Sequence, residues 1–126
     1  VRYLTAAKAA GDVLIVGLNR DASIRRLKGP ARPIVPEGER AEILSALACV
    51  DYIVFFGADT PYTVIRELKS DILVKGSDWA LRDIVGCDIL KAYGGRVKRI
   101  RLVPGRSTTR LIKKISGRTP RCSHGR

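Results

Sequence analysis

The sequence of 126 residues has no methionine, one histidine, one tryptophan and three cysteines. A lone His124 and cysteines at 49, 87 and 122 offer no spacing suited to a structural zinc site. An odd cysteine count also argues against a complete disulfide framework, and cytoplasm is the default compartment. No run of 18 apolar residues occurs, which excludes a transmembrane helix. The start, Val1-Arg2-Tyr3-Leu4, lacks the apolar core of a signal peptide. A chain that begins with Val and holds no methionine reads as a fragment. Acidic residues are scattered, with no pair at metal or glycosidase spacing, and none follows Asp88. Residues 91–126 therefore carry the whole net charge of +12, while residues 1–90 are neutral. The hydrophobic fraction of 45% excludes a chain disordered throughout. The length suits one domain.

Short apolar runs alternate with amphipathic segments. Arg2–Ala10 reads as a helix stopped by Gly11 at C′. Val13–Leu18 is a continuous apolar run, as in a strand buried on both faces. Asp21 is an N-cap candidate for a helix to Lys28. Three prolines between Gly29 and Pro36 exclude helix and central strand. A helix over 37–48 precedes a strand at Tyr52–Phe56. Thr60-Pro61 looks like an N-cap with proline at N1, opening a helix to Leu68. Ile72–Val74 is a third strand, Ile84–Tyr93 a helix weakened by Gly86, and Val97–Val103 a fourth strand whose poor alternation suits an edge. Ser107 or Thr108 caps a last helix to Ile115, and residues 116–126 read as a disordered tail. This order implies an α/β fold with a parallel sheet, whose ligands bind beyond the carboxyl ends of the strands.

Of the loops at those ends, Gly105-Arg106-Ser107-Thr108-Thr109-Arg110 is the most suggestive. Glycine admits close backbone approach. Hydroxyls and free N–H groups then meet at a helix N-terminus flanked by two arginines, a setting for phosphate. An ordinary Ser/Thr cap explains the same residues without a ligand. Lys75 at a strand end can reach a phosphate or stand as a solvated loop lysine. Lys28 and Arg25-Arg26 fit a solvated helix face. Trp79, the only tryptophan, more often packs a loop onto a core than stacks on a base. His124 lies in the tail, where catalysis is improbable.

The stretch Val16–Pro30, with Leu18-Asn19-Arg20-Asp21-Ala22-Ser23 followed by Arg25-Arg26-Leu27-Lys28-Gly29-Pro30, resembles the "LNSDASVRRLKGP" segment of heptose-1-phosphate adenylyltransferases. These form the second domain of bifunctional ADP-heptose synthases. Glu39–Leu44 with Val50-Asp51-Tyr52 is similar to that family's "ERAxxLxxLxxVDyV". Asp59-Thr60-Pro61 and Asp71–Trp79 are similar to its "DTP" and "PDvLVKGGDY". Gly94-Gly95 and Ser107–Ile112 are similar to its "GG" and "STTxLI". The likeness covers nearly all of residues 1–116, which are expected to form the nucleotidyltransferase domain, with 117–126 a basic tail.

The resemblance implies a Rossmann-like sheet of order 3-2-1-4-5. It implies transfer of AMP from ATP to D-glycero-β-D-manno-heptose 1-phosphate, giving ADP-heptose and pyrophosphate for the lipopolysaccharide core, with Mg²⁺ accompanying ATP. It places Ser107, Thr108 and Thr109 on the ATP phosphates, where the flanking Arg106 and Arg110 are further phosphate-binding candidates from their position alone, and Lys28, Arg40, Lys75 and Asp78 on the substrate side. It also implies a first strand ending in an "HxGH" motif, whose histidines stabilise the transferring phosphate. That motif is expected just before a helix like Val1–Lys8, and these residues contain neither it nor the strand. No catalytic histidine is therefore assigned, and a truncated reading frame is the simplest source. Loss of such groups costs about 10²–10³-fold each. With the central strand missing, a gap is expected between the strands at Val13–Leu18 and Ile72–Val74, poor folding alone, or a strand supplied by another chain. Smaller departures are Arg20 for Ser, Ser77 for Gly, and Gly86-Cys87-Asp88 for Gly-Arg-Glu.

Three other readings stay open. One is a cytidylyltransferase for a polyol or amino-alcohol phosphate. The second is a pseudoenzyme that binds nucleotide without turnover. The third is a non-specific nucleic-acid binder, disfavoured because Tyr93 is the only aromatic among the basic residues 91–126.

Overall fold

In the computed structural model, residues 1–77 and 80–117 are described. Helices and strands alternate along them: α1 (Arg2–Lys8), β1 (Ile15–Asn19), α2 (Asp21–Lys28), α3 (Glu37–Ser45), β2 (Tyr52–Phe56), α4 (Tyr62–Leu68), β3 (Ile72–Gly76), a 3₁₀ turn at Leu81–Asp83, α5 (Cys87–Ala92), β4 (Arg96–Ile100) and α6 (Thr108–Ser116). The α/β alternation is as expected, and β2 has the expected bounds. Most of the tail lies outside the described residues.

Several local expectations need correction. Gly11 does not stop α1 in a left-handed conformation. The helix ends instead at Ala9 in the right-handed region, with φ −64°. Asp21 is not the cap of α2 but its first residue, with Arg20 extended before it. Its carboxylate is drawn away to the start of α3. Thr60 does not cap α4, which opens after Pro61 with no side-chain cap bond. Gly86 is not inside α5 but precedes it, at φ 91°, a left-handed value that suits glycine. Among the described residues Lys69 is the only non-glycine with positive φ, so Ser77 is not strained.

The strands form two parallel pairs. β1 lies along β2 with Ile15 opposite Tyr52 and Asn19 opposite Phe56. β3 lies along β4 with Ile72 opposite Arg96 and Gly76 opposite Ile100. The pairs are separate two-stranded sheets, and no ladder joins β1 to β3 among the described residues. The expected gap between those strands is therefore present. Two-stranded sheets bury little, and the apolar core among the described residues is confined to Ala7, Ile65, Ile84 and Leu90.

Other contacts hold the halves side by side. Helix α1 packs on β4. Its Lys8 pairs with Asp51 at 2.6 Å, and the same carboxylate accepts from the Leu14 amide at 2.7 Å, next to β1 and β2. Leu14 and Lys8 together hold Asp51 below the usual carboxylate range, against a smaller upward push from burial. Across the other end of the molecule, Arg32 reaches Thr109.

Candidate functional site

The start of α6 is built by three residues in succession. Gly105 takes φ 74° and turns the chain. Ser107 is extended, at φ −151°, and its Oγ accepts from the Arg110 amide at 3.2 Å, which caps the helix. Arg110 folds back over the glycine, where an added Cβ would lie 3.2 Å from its Nη1. Every residue from Arg101 to Arg110 is exposed.

The electrostatics of this helix start run against the usual pattern. A helix N-terminus carries partial positive charge and favours acidic side chains in its first turn. Helix α6 has none there, and Arg106 and Arg110 flank it instead. Neither arginine forms an ion pair among the described residues. Free N–H groups, hydroxyls and unneutralised cations thus meet at one exposed point, an arrangement that fits an anion of high charge.

Sequence reasoning missed one member. Arg32, in the proline-rich loop between α2 and α3, donates from Nη2 to Thr109 Oγ1 at 3.1 Å. The two residues are 77 positions apart, and no local pattern links them.

A second cluster gathers where β1 ends. Arg40 donates to the carbonyls of Val35 at 3.0 Å and Asn19 at 2.8 Å, and to Asp21 Oδ1 at 2.7 Å. Asp21 and Glu37 exchange bonds, each carboxylate accepting from the other's amide, at 2.7 and 3.1 Å. Burial pushes the Asp21 carboxyl upward, but Arg40 and the Glu37 amide outweigh it and hold the group below its ordinary value. Arg26 joins the loop after β2, donating to the Gly57 carbonyl at 2.6 Å and to Asp59 at 3.0 Å.

Of the residues expected on the substrate side, only Arg40 is bound into this cluster. Lys28 is exposed at the end of α2. Lys75 sits half-buried in β3, opposite Arg99. Neither forms an ion pair among the described residues. Asp78 and Trp79 lie outside the described residues. Two open clefts, one lined by Ser77 and Arg96–Arg99 and one between α5 and β4, do not include the start of α6. Among the described residues no group of three or more His, Cys, Asp or Glu is placed to hold a metal.

Parallel strands joined through helices define an α/β protein of the kind whose ligands bind beyond the strand ends. The chain belongs to the cytidylyltransferase-like family, whose profile matches residues 1–114. It is 56% identical over 118 residues to the bifunctional protein HldE of Syntrophotalea carbinolica, covering 94% of this chain and 24% of that protein. It is 55% identical over 115 residues to the bifunctional protein HldE of Geobacter metallireducens, covering 91% and 24%. The chain thus spans about a quarter of the length of these relatives. Among solved structures, the lipopolysaccharide core biosynthesis protein from Thermoplasma volcanium superposes with a TM-score of 0.60 at 29% identity, over 80% of this chain and 81% of that one. No helix among the described residues is long and apolar enough to cross a membrane.

Proposed function

We propose that this chain is the nucleotidyltransferase unit of an ADP-heptose-forming enzyme, acting in the cytoplasm. Its reaction joins ATP to D-glycero-β-D-manno-heptose 1-phosphate. An oxygen of the sugar phosphate forms a bond to the α-phosphorus, the bond from that phosphorus to the β-phosphate bridge breaks, and pyrophosphate leaves. The observation that carries the reading is the start of α6, with two unpaired arginines and three hydroxyl residues where an acid would normally stand. The likeness to bifunctional HldE proteins at 55–56% identity supports the choice of substrates.

The residues divide the work by chemistry. The Thr108 and Thr109 amides and the Ser107, Thr108 and Thr109 hydroxyls donate to phosphate oxygens. Arg106 and Arg110 balance the charge that accumulates on the leaving pyrophosphate. Mg²⁺ enters as part of the substrate, Mg-ATP. The donors at α6 suit phosphate rather than metal, and a Mg²⁺ ion bound through phosphates needs few protein ligands. Arg40 fixes the loop after β1, where the sugar phosphate is received with help from Lys28, Lys75 and Asp78. The two strand pairs are halves of one sheet of order 3-2-1-4-5, with its central position between β1 and β3. Residues 1–116 form the unit and 117–126 its basic tail. A further strand between β1 and β3 would complete the sheet.

Thr108→Ala tests the phosphate assignment. A hydrogen bond to a charged group is worth about 1.5–3 kcal/mol, so Mg-ATP affinity is expected to fall about tenfold or more by calorimetry. Unchanged affinity in a variant that still binds would refute the assignment. Mg-CTP binding as tightly as Mg-ATP would move the reading to a cytidylyltransferase.

A further inference from the structure

We infer that Arg32 is a further phosphate-binding residue, one that also sets the direction of the Thr109 hydroxyl; this rests on the nucleotide site proposed at the start of α6. Guanidinium groups only donate, so in the bond from Arg32 Nη2 the Thr109 oxygen is the acceptor. The hydroxyl's own hydrogen is left free, and no protein acceptor takes it among the described residues. It is available to an anion in the same place as the Thr108 and Thr109 amides.

Arg32 itself spends one of five donors on this bond and meets no carboxylate among the described residues. A half-buried cation without an acidic partner, bonded to the first turn of a helix, meets the positive end of that helix, an unfavourable placement that a polyanion relieves. Its loop is stiff. Prolines stand at 30, 33 and 36, and the Arg32 amide bonds back to the Gly29 carbonyl at 3.2 Å. The guanidinium is therefore carried close to the phosphates with little freedom left to lose. The site takes one cation from the half containing β1 and two from the half containing β4.

The test is calorimetric titration of the 126-residue chain with Mg-ATP, inorganic triphosphate and adenosine, for the parent, Arg32→Gln, Arg32→Lys and Thr108→Ala. Arg32→Gln is expected to weaken Mg-ATP and triphosphate about ten- to a hundredfold while leaving adenosine unchanged. Arg32→Lys is expected to recover only part of the loss, because it restores charge without the fork. Arg32→Gln is also expected to be non-additive with Thr109→Val. Equal losses for adenosine and triphosphate overturn the inference, since they mark a purely structural role. Full Mg-ATP affinity in Arg32→Gln, with Thr108→Ala weakened, overturns it and leaves the site standing. If neither variant weakens Mg-ATP, the site itself is wrong and the inference falls with it.

Discussion

Asp21 shows how a single residue serves the tertiary structure before its own helix. As an N-cap it would bond an amide two or three positions on. Instead it accepts from the Glu37 amide at the start of α3, while Glu37 returns the bond to the Asp21 amide. Each carboxylate thus sits at the positive end of the other's helix, and Arg40 ties the pair to the end of β1. Because the Asp21 carboxyl is held below its ordinary value, its contribution is present above that value and lost as pH falls through the lowered one. Asp51, lowered for a similar reason between Leu14 and Lys8, acts in the same direction. Thermal stability is therefore expected to decline below about pH 4. In Asp21→Asn that decline should be shallower, starting from a lower plateau at pH 7. Melting followed by circular dichroism across pH 2–7 checks this, and an unchanged slope in the variant contradicts it.

At the scale of elements, α4 and α5 meet at a point where only glycine fits. Gly86 has φ 91°, and an added Cβ would stand 2.7 Å from Ile65 Cδ1, one of the few buried apolar side chains. Gly86→Ala combines backbone strain with overpacking and is expected to cost about 1–3 kcal/mol in urea unfolding. A variant as stable as the parent would show that Ile65 moves aside freely.

The same elements show what could be read from the chain. β2 was legible to the residue because Tyr52–Phe56 is an apolar run between turn residues, and α6 because Ser107 caps it as its type predicts. By composition alone Gly86 looks like a weak spot inside a helix. Spacing alone does not show that the turn before α5 needs its left-handed backbone. Asp21 was misplaced for a related reason: its partner lies 16 residues on. Arg32 left no trace in the sequence at all, because proximity to Thr109 is created only when the loop after α2 and the start of α6 come to one end of the fold.

For the whole molecule, the governing feature is the division of the sheet. β1–β2 and β3–β4 are each satisfied internally, and the edges of β1 and β3 away from their partners carry no ladder bonds among the described residues. α1 spans the division on one side, through β4 and Asp51. Arg32 and Thr109 span it on the other. The excess charge of the last third acquires a local meaning in this frame. Arg110 follows Thr109 at the second bridge, with Arg106 just before the helix, and under the proposed function a triphosphate there would join both halves. Ligand that binds only the folded form raises stability in proportion to its affinity.

The most direct measurement is a titration of isotopically labelled chain with Mg-ATP, followed by backbone amide resonances. Saturable shifts are expected at Thr108, Thr109 and Arg110, with the same amides responding to inorganic triphosphate. Saturable shifts confined to other parts of the chain, with residues 107–110 unmoved, would contradict the proposed phosphate site.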